Sequence, residues 1–385
     1  MRIALVSPYD WCVDGGVKSH ITHLAAYFRD WGHEVEIFAP ASDAEKVAGE
    51  CTVMGKTRGV RVSGSVARIT FAWKSPEVKE VLARGNFDVV HLHEPLMPLL
   101  PYHFLRYSTC ATIGTFHAAK DGGNRFYGYT TRITRRWFRR LDGKIAVSPA
   151  AASLVSRYFA GYFNIIPNGI DYAHFARECE PLEEFMDGRQ NILFVGRPEK
   201  RKGLKYLLRA YIRIKETEPN TRLIVVGAGD FTRYERIMAP IGDVVFRTYV
   251  PYDELPRYHR SADVFCAPNT GNESQGYVLL EAMAAGVPVI ASNIEGFAGV
   301  ITHELDGLLV APKDSDAIAV AVLKLLRNPA QRRELAARGQ LQAAHYSWDN
   351  IARRVMSYYE RLLYEHRQVA EATGRRTPVA AGEPE

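Results

Sequence analysis

Short apolar runs alternate along this chain with longer stretches in which apolar residues recur every three or four positions. The short runs read as buried strands and the longer stretches as helices that cover a sheet. In the first half the runs fall at residues 3–6, 34–38, 89–92, 113–116 and 144–147. In the second half they fall at 192–195, 223–226, 244–249, 264–267, 289–291 and 307–310. Strand followed by helix, repeated in this way, predicts an α/β protein of two Rossmann-like, doubly wound domains with parallel sheets. Residues 167–190 are polar, hold Pro and Gly and lack periodicity. They are expected to link an N-terminal domain over 1–170 to a C-terminal domain over 190–347. Residues 348–364 have apolar positions near helical spacing and predict a final helix. From 366 to 385 the chain is polar and carries Ala, Gly and Pro, the composition of a disordered tail.

Composition narrows the class. With 385 residues, 47% of them hydrophobic and 24% charged, the chain has the make-up of a water-exposed globular protein with two cores. No apolar run approaches the roughly 18 residues of a membrane-spanning helix. The first ten residues lack the apolar length of a signal peptide and read as a first strand. The five cysteines, Cys12, Cys51, Cys110, Cys179 and Cys266, are odd in number and widely spaced. That spacing favours reduced thiols in a cytoplasmic protein and argues against a zinc site, so no metal is expected. The net charge of +6 suits an anionic ligand or membrane surface. Aromatic and basic residues are not interleaved as in a nucleic-acid module, so no nucleic acid is expected.

Four places can carry chemistry. Asn269-Thr-Gly-Asn-Glu273-Ser-Gln-Gly276-Tyr-Val-Leu-Leu-Glu281 puts two carboxylates eight residues apart around a glycine that can open a helix. A helix N-terminus attracts phosphate, and a start near Gln275 would put Glu281 two turns in, about 10 Å from Glu273. The arrangement fits a nucleotide sugar, with hydroxyls at both ends and phosphates between. Gly196-Arg197-Pro-Glu-Lys-Arg-Lys202-Gly203 follows a strand, and cations there can stabilise charge developing on a leaving diphosphate. Gly15-Gly16 follows the first strand and precedes a helix expected near Lys18, so the backbone can come close to an anion. His117 ends a buried strand, where it can bond a sugar hydroxyl or stabilise charge.

These motifs resemble those of the family 4 glycosyltransferases with the GT-B fold, and most of all the phosphatidylinositol α-mannosyltransferases. Matching segments include Gly15-Gly-Val-Lys-Ser-His20, Gly64-Ser-Val-Ala-Arg68, Phe87-Asp-Val-Val-His-Leu-His-Glu-Pro95, Thr115-Phe-His117, Ile166-Pro-Asn-Gly-Ile-Asp171 and Gly196-Arg197. The resemblance implies two domains facing across a cleft, with the helix over 348–364 crossing back to the first. It implies metal-independent, retaining transfer from a nucleotide sugar, with no permanently bound cofactor. GDP-mannose is the favoured donor and a UDP-sugar the alternative. The acceptor implied is a lipid or polyol, first among them phosphatidylinositol, with a soluble or polysaccharide acceptor served by UDP-glucose or another donor as the alternative.

By the same resemblance His117, Arg197, Lys202 and Glu273 are the catalytic set, with Arg201 an alternative to Lys202. Gly16, Gly196, Gly229, Ser274, Gly276, Tyr277, Val278 and Glu281 bind the donor. Tyr9, Gly15, Lys18 and Arg68 meet the acceptor. Lys18 stands where the phosphatidylinositol enzymes usually have glutamine. A two-step route would need a carboxylate nucleophile, for which the loop after His117 offers Asp121, although no motif assigns it. Front-face transfer, with the leaving diphosphate helping to deprotonate the acceptor hydroxyl, is therefore favoured.

Residues 132–144 add a feature of their own. Arg132, Arg135, Arg136, Arg139 and Arg140 fall on one helical face, with Ile133, Trp137 and Leu141 on another. Such a helix suits an anionic bilayer and predicts peripheral attachment to the inner face of the cell membrane. A dehydrogenase is disfavoured, because Ser7-Pro8-Tyr9-Asp10 follows the first strand in place of Gly-x-Gly-x-x-Gly. A non-catalytic nucleotide-sugar-binding module is the remaining alternative.

Overall fold

The structure, a computed structural model, describes residues 1–55, 57–62, 65–70, 75–120 and 122–373. The chain divides into two units: Met1–Gly169 with the chain from Trp348 onward, and Ile170–Ser347.

The first unit is built on strands β1 (Arg2–Val6), β2 (Glu34–Ala39), β3 (Thr52–Val53), β6 (Val89–His93), β7 (Ala111–Phe116), β8 (Gly143–Ala146) and β9 (Asn164–Ile165), with β4 (Thr57–Val62) and β5 (Ser65–Thr70) as a separate antiparallel hairpin. The sheet order is β3-β2-β1-β6-β7-β8-β9, and every pairing in it is parallel. Residues of β1, β6 and β7 are almost wholly buried, as expected of strands with helices on both faces. The order reverses between β1 and β6, so the loops leaving these two strands diverge and open a crevice.

The second unit contains β10 (Gln190–Val195), β11 (Thr221–Val226), β12 (Val244–Arg247), β13 (Val264–Ala267), β14 (Val289–Ser292) and β15 (Leu308–Val310) in the order β12-β11-β10-β13-β14-β15, again all parallel. Its switch point lies between β10 and β13. The two loops singled out for chemistry, after β10 and after β13, leave from these neighbouring strands.

All eleven apolar runs form strands. The two-residue strands β3 and β9 and the hairpin are additions, too short or too polar to stand out as apolar runs. The expected linker over 167–190 needs correction. Beyond Gly169 it belongs to the second unit, because Phe175 and Phe185 are fully buried in that unit's core. The expected tail also needs correction, since the last helix, Trp348–Thr373, runs well past 366. Residues 364–373 hold Glu, Gln, Arg and Ala and no Gly or Pro, so nothing there stops a helix. Its Ile351, Val355 and Tyr359 join Ile3, Leu24 and Phe28 in one core.

Candidate active site

In the second unit, two cations and an amide converge on one carboxylate oxygen. Glu273 Oε2 accepts hydrogen bonds from Lys202 Nζ at 2.8 Å, Arg201 Nη1 at 3.0 Å and Asn269 Nδ2 at 2.7 Å. Lys202 and Arg201 sit on the 3₁₀ turn Lys200–Lys202 after β10, and Glu273 on the loop after β13. Both cations therefore reach the acid, and the alternatives Lys202 and Arg201 share one contact. Arg201 is also held by Glu199 at 2.8 Å, and Arg197, more than half exposed, meets the other oxygen of Glu199 at 3.0 Å. Asn269 and Glu199 had no assigned role in the sequence, although Asn269 opens the motif.

The helix after this loop is Tyr277–Ala284, two residues later than the start expected near Gln275. The cause is Gly276, whose φ of 84° is left-handed and incompatible with continuing a helix backwards. A Cβ on Gly276 would also lie 2.5 Å from the Phe297 ring. Glu281 is the fifth helical residue and so lies one turn in, not two. It is partly buried. Burial pushes its carboxyl up to about 7 while Lys202 pulls it down. Gly276, Tyr277 and Val278 supply N–H groups at the helix end, where the dipole favours an anion. The Tyr277 hydroxyl is buried with no hydrogen-bond partner among the described residues. Ser274 is partly buried on the same loop. Gly196 and Gly229 lie beyond the carboxyl ends of β10 and β11.

In the first unit, four histidines gather: His91 and His93 on β6, His117 just past β7 and His20 on the helix after β1. His117 Nε2 lies 3.0 Å from His93 Nδ1. His20, on the helix Gly16–Asp30, bonds Asn168 Oδ1 through Nδ1 at 2.9 Å. Deeper in, His91 contacts Tyr359 Oη at 2.5 Å and Thr115 Oγ1 at 2.6 Å. Burial, with like charge from His91, holds the His117 imidazole down to about 3, so the ring is neutral at pH 7. Glu94, left-handed at φ 50° and 3% exposed, fixes the His117 loop by accepting the N–H groups of His117 and Ala118, each at 2.8 Å. His93, Glu94 and Asn168 belong to the quoted motifs, yet their spacing alone gave them no role.

Gly15 is extended (φ −176°) and caps the helix Gly16–Asp30, which starts two residues before the expected Lys18. A Cβ on Gly15 would meet nothing within 4 Å, so the space beside it is open. Lys18 is paired with Asp14 at 3.2 Å and approaches Glu50 at 3.9 Å. Tyr9 is partly buried, and burial together with the Glu94 charge pushes its phenol well up. The Arg68 side chain and Asp121 lie outside the described residues.

The basic helix is Arg125–Phe138, capped by Asn124 Oδ1. Arg132, Arg135 and Arg136 on the helix are exposed, and so are Arg139 and Arg140, which the expected helical face included but which lie past the helix end at Phe138. Its expected apolar stripe needs correction. Leu141 is buried and Trp137 stacks on Tyr102 at 5.9 Å, but Ile133 is 69% exposed. The inward ridge is Tyr127, Thr134 and Phe138, which turns Ile133 outward beside Tyr129, itself 85% exposed. The outer face thus mixes arginines with apolar side chains.

One switch point carries paired acids and cations at a helix end, the other a cluster of histidines, and comparison with known proteins gives the class. Residues 14–174 match the model "Glycosyltransferase Family 4" and residues 181–342 match "Glycosyl transferases group 1". The chain belongs to the family 4 glycosyltransferases and has the GT-B fold. It is 35% identical over 369 residues to the phosphatidyl-myo-inositol mannosyltransferase of Mycolicibacterium smegmatis, with 94% of each chain covered. It is 33% identical to the protein of that name from Propionibacterium freudenreichii, covering 93% of this chain and 94% of the relative. Among solved structures, a glycosyltransferase from Rickettsia africae aligns with a TM-score of 0.73 at 17% identity, over 94% of this chain and 98% of the other. Anabaena HepE in complex with UDP aligns at 0.74 and 18% identity, over 94% and 100%. Among the described residues, no helix is long and apolar enough to cross a membrane.

Proposed function

We propose that this glycosyltransferase moves mannose from GDP-mannose to a membrane-lipid head group, phosphatidylinositol first among them, with retention of configuration. The observation that carries the reading is the convergence of Lys202, Arg201 and Asn269 on Glu273. The relatives named phosphatidyl-myo-inositol mannosyltransferase, alike over nearly the whole chain, support mannose as the sugar and phosphatidylinositol as the acceptor.

The residues divide the work as follows. An arriving diphosphate draws Lys202 and Arg201 away from Glu273, with Arg197 as a third cation. It rests on the N–H groups of Gly276, Tyr277 and Val278. Glu273, released, takes hydroxyls of the sugar, and Glu281 takes those of the ribose. The bond from the anomeric carbon to the diphosphate breaks as the acceptor oxygen bonds to the same carbon. The acceptor proton passes to a leaving phosphate oxygen, so both new bonds form on one face. The cations bind the departing diphosphate more tightly than the donor, which lowers the barrier. Neutral His117 bonds the transferred sugar, and Tyr9, Lys18 and Arg68 meet the acceptor. The exposed arginines of the helix Arg125–Phe138, with Tyr129 and Ile133, hold the protein on the inner face of an anionic membrane, where a lipid acceptor is within reach.

Lys202→Ala and Glu273→Ala should each lower transfer at least about 100-fold, the scale set by loss of a transition-state charge contact. Rates within a few-fold of wild type would sink the proposal.

A further inference from the structure

We propose that His20, His93 and His117 form a three-imidazole site for one divalent transition-metal ion of the zinc type. One nitrogen from each ring lies within 4.8 Å of the other two, and this is the one such group of potential ligands found among the described residues. The ring centroids are 4.9–5.3 Å apart. Three imidazole nitrogens about 2.0–2.1 Å from a tetrahedral ion sit about 3.4 Å from one another, so modest ring rotations close the site. The cysteine spacing that argued against zinc does not bear on these histidines, which come from three separate elements: the helix after β1, the end of β6 and the loop after β7.

Two of the three rings present buried, unpartnered nitrogens to a cation. Asn168 Oδ1 can only accept, so the proton of neutral His20 is on Nδ1, and Nε2 carries a lone pair. His20 Nε2 is buried with no partner, and so is His93 Nε2. Between His93 Nδ1 and His117 Nε2 a single proton is shared. If His93 donates it, His93 Nε2 is also a bare lone pair, which avoids a buried N–H with no acceptor, and the His117 Nε2 lone pair that accepts it is freed for the ion only as this bond opens and one proton is released. A carbonyl oxygen on the second ring nitrogen, as Asn168 offers His20, orients imidazoles that bind metal. The donor set is all nitrogen with no carboxylate, which selects zinc, cobalt, nickel or copper over magnesium and calcium. His117 is partly exposed and gives the ion its entry, while His20 and His93 are 1% and 0% exposed. The fourth position stays open to solvent on the His117 side.

An ion there opens the His93–His117 hydrogen bond and holds the ring that would bond the sugar. Its effect on turnover, which rests on the proposed role of His117, is inhibition that the donor relieves. The test is titration of the untagged full-length protein with cobalt(II), followed by the visible absorption of a tetrahedral site and displaced by zinc(II). One equivalent should bind, and His93→Gln should weaken binding at least about 100-fold, by loss of one of three ligands. His20→Gln serves the same purpose if His93→Gln does not fold, as judged by circular dichroism and thermal melting. Absence of a cobalt band in wild type, or equal binding by a folded variant, would overturn the site. Zinc inhibition of transfer is scored separately: binding without inhibition supports the site and removes His117 from the sugar contact.

Discussion

Glu94 Oε1 accepts the backbone N–H of His117 at 2.8 Å, and through the same oxygen that of Ala118. A nearly fully buried carboxylate therefore fixes the loop that presents the candidate catalytic imidazole. Burial pushes the Glu94 carboxyl up, and bonds from His117, Ala118 and Tyr127 pull it back. Glu94→Ala leaves two N–H groups without an acceptor and should destabilise the protein by about 3 kcal/mol. Glu94→Gln keeps a carbonyl oxygen for both and should cost less than half as much. Urea unfolding of the two variants checks the order; equal losses would show that only side-chain volume matters.

The buried histidines predict acid sensitivity. His91, His117 and His259 are held down to about 3, and His20 and His93 well below their ordinary 6.5, chiefly by burial. The unfolded chain takes up protons near 6.5, which the folded chain does not. Stability from these groups is present above 6.5 and falls as pH is lowered from there toward 3, by up to about 1.4 kcal/mol per group per pH unit. Glu281 acts in the opposite sense with one proton, its carboxyl raised from 4.5 to about 7. Melting temperature should drop steeply between pH 6.5 and 4.5. A flat profile across that range would contradict the burial of the cluster.

Glu281 also predicts a proton linked to donor binding. In the proposed ribose contact two hydroxyls donate to the ionised carboxylate and favour it, so binding should lower the raised value and release a proton. Donor affinity should then rise with pH through about 7. Calorimetry in buffers of different ionisation enthalpy measures the release, and the Glu281→Gln variant should abolish it.

Gly203 ends the Lys200–Lys202 turn at φ 71°, and a Cβ there would lie 1.8 Å from the Pro268 carbonyl oxygen. Gly203→Ala should cost roughly 2–3 kcal/mol of strain and displace Lys202 from Glu273. Its transfer rate should fall more than 10-fold, a loss that saturating donor does not restore. A variant with normal stability and rate would show that the turn does not set the cations.

The sheets were legible because buried parallel strands are short and almost wholly apolar, as residues 3–6 and 264–267 illustrate. The loops after β10 and β13 were legible because glycine, cations and acids cluster there without apolar periodicity. What pattern could not give was direction. Ile133 sits one residue from the inward Thr134, a turn of about 100° that places it outside. Nor could it give long-range pairing: His20 meets Asn168 across 148 positions, and His91 meets Tyr359 across 268.

Membrane attachment through the basic helix is testable apart from catalysis. Reversing Arg132 and Arg136 to Glu and changing Ile133 to Ser removes charge and apolar surface that are exposed. At about 1 kcal/mol per cation near an anionic surface, partition onto phosphatidylglycerol vesicles should fall at least 20-fold. Co-sedimentation reads the change, and unchanged binding would move the contact elsewhere.

The most direct measurement mixes purified wild-type protein with GDP- and UDP-sugars and anionic liposomes containing phosphatidylinositol, then weighs the lipids by mass spectrometry. The proposed function predicts one hexose added to phosphatidylinositol, with GDP-mannose as the effective donor. Lipids unchanged in mass with every donor would contradict it.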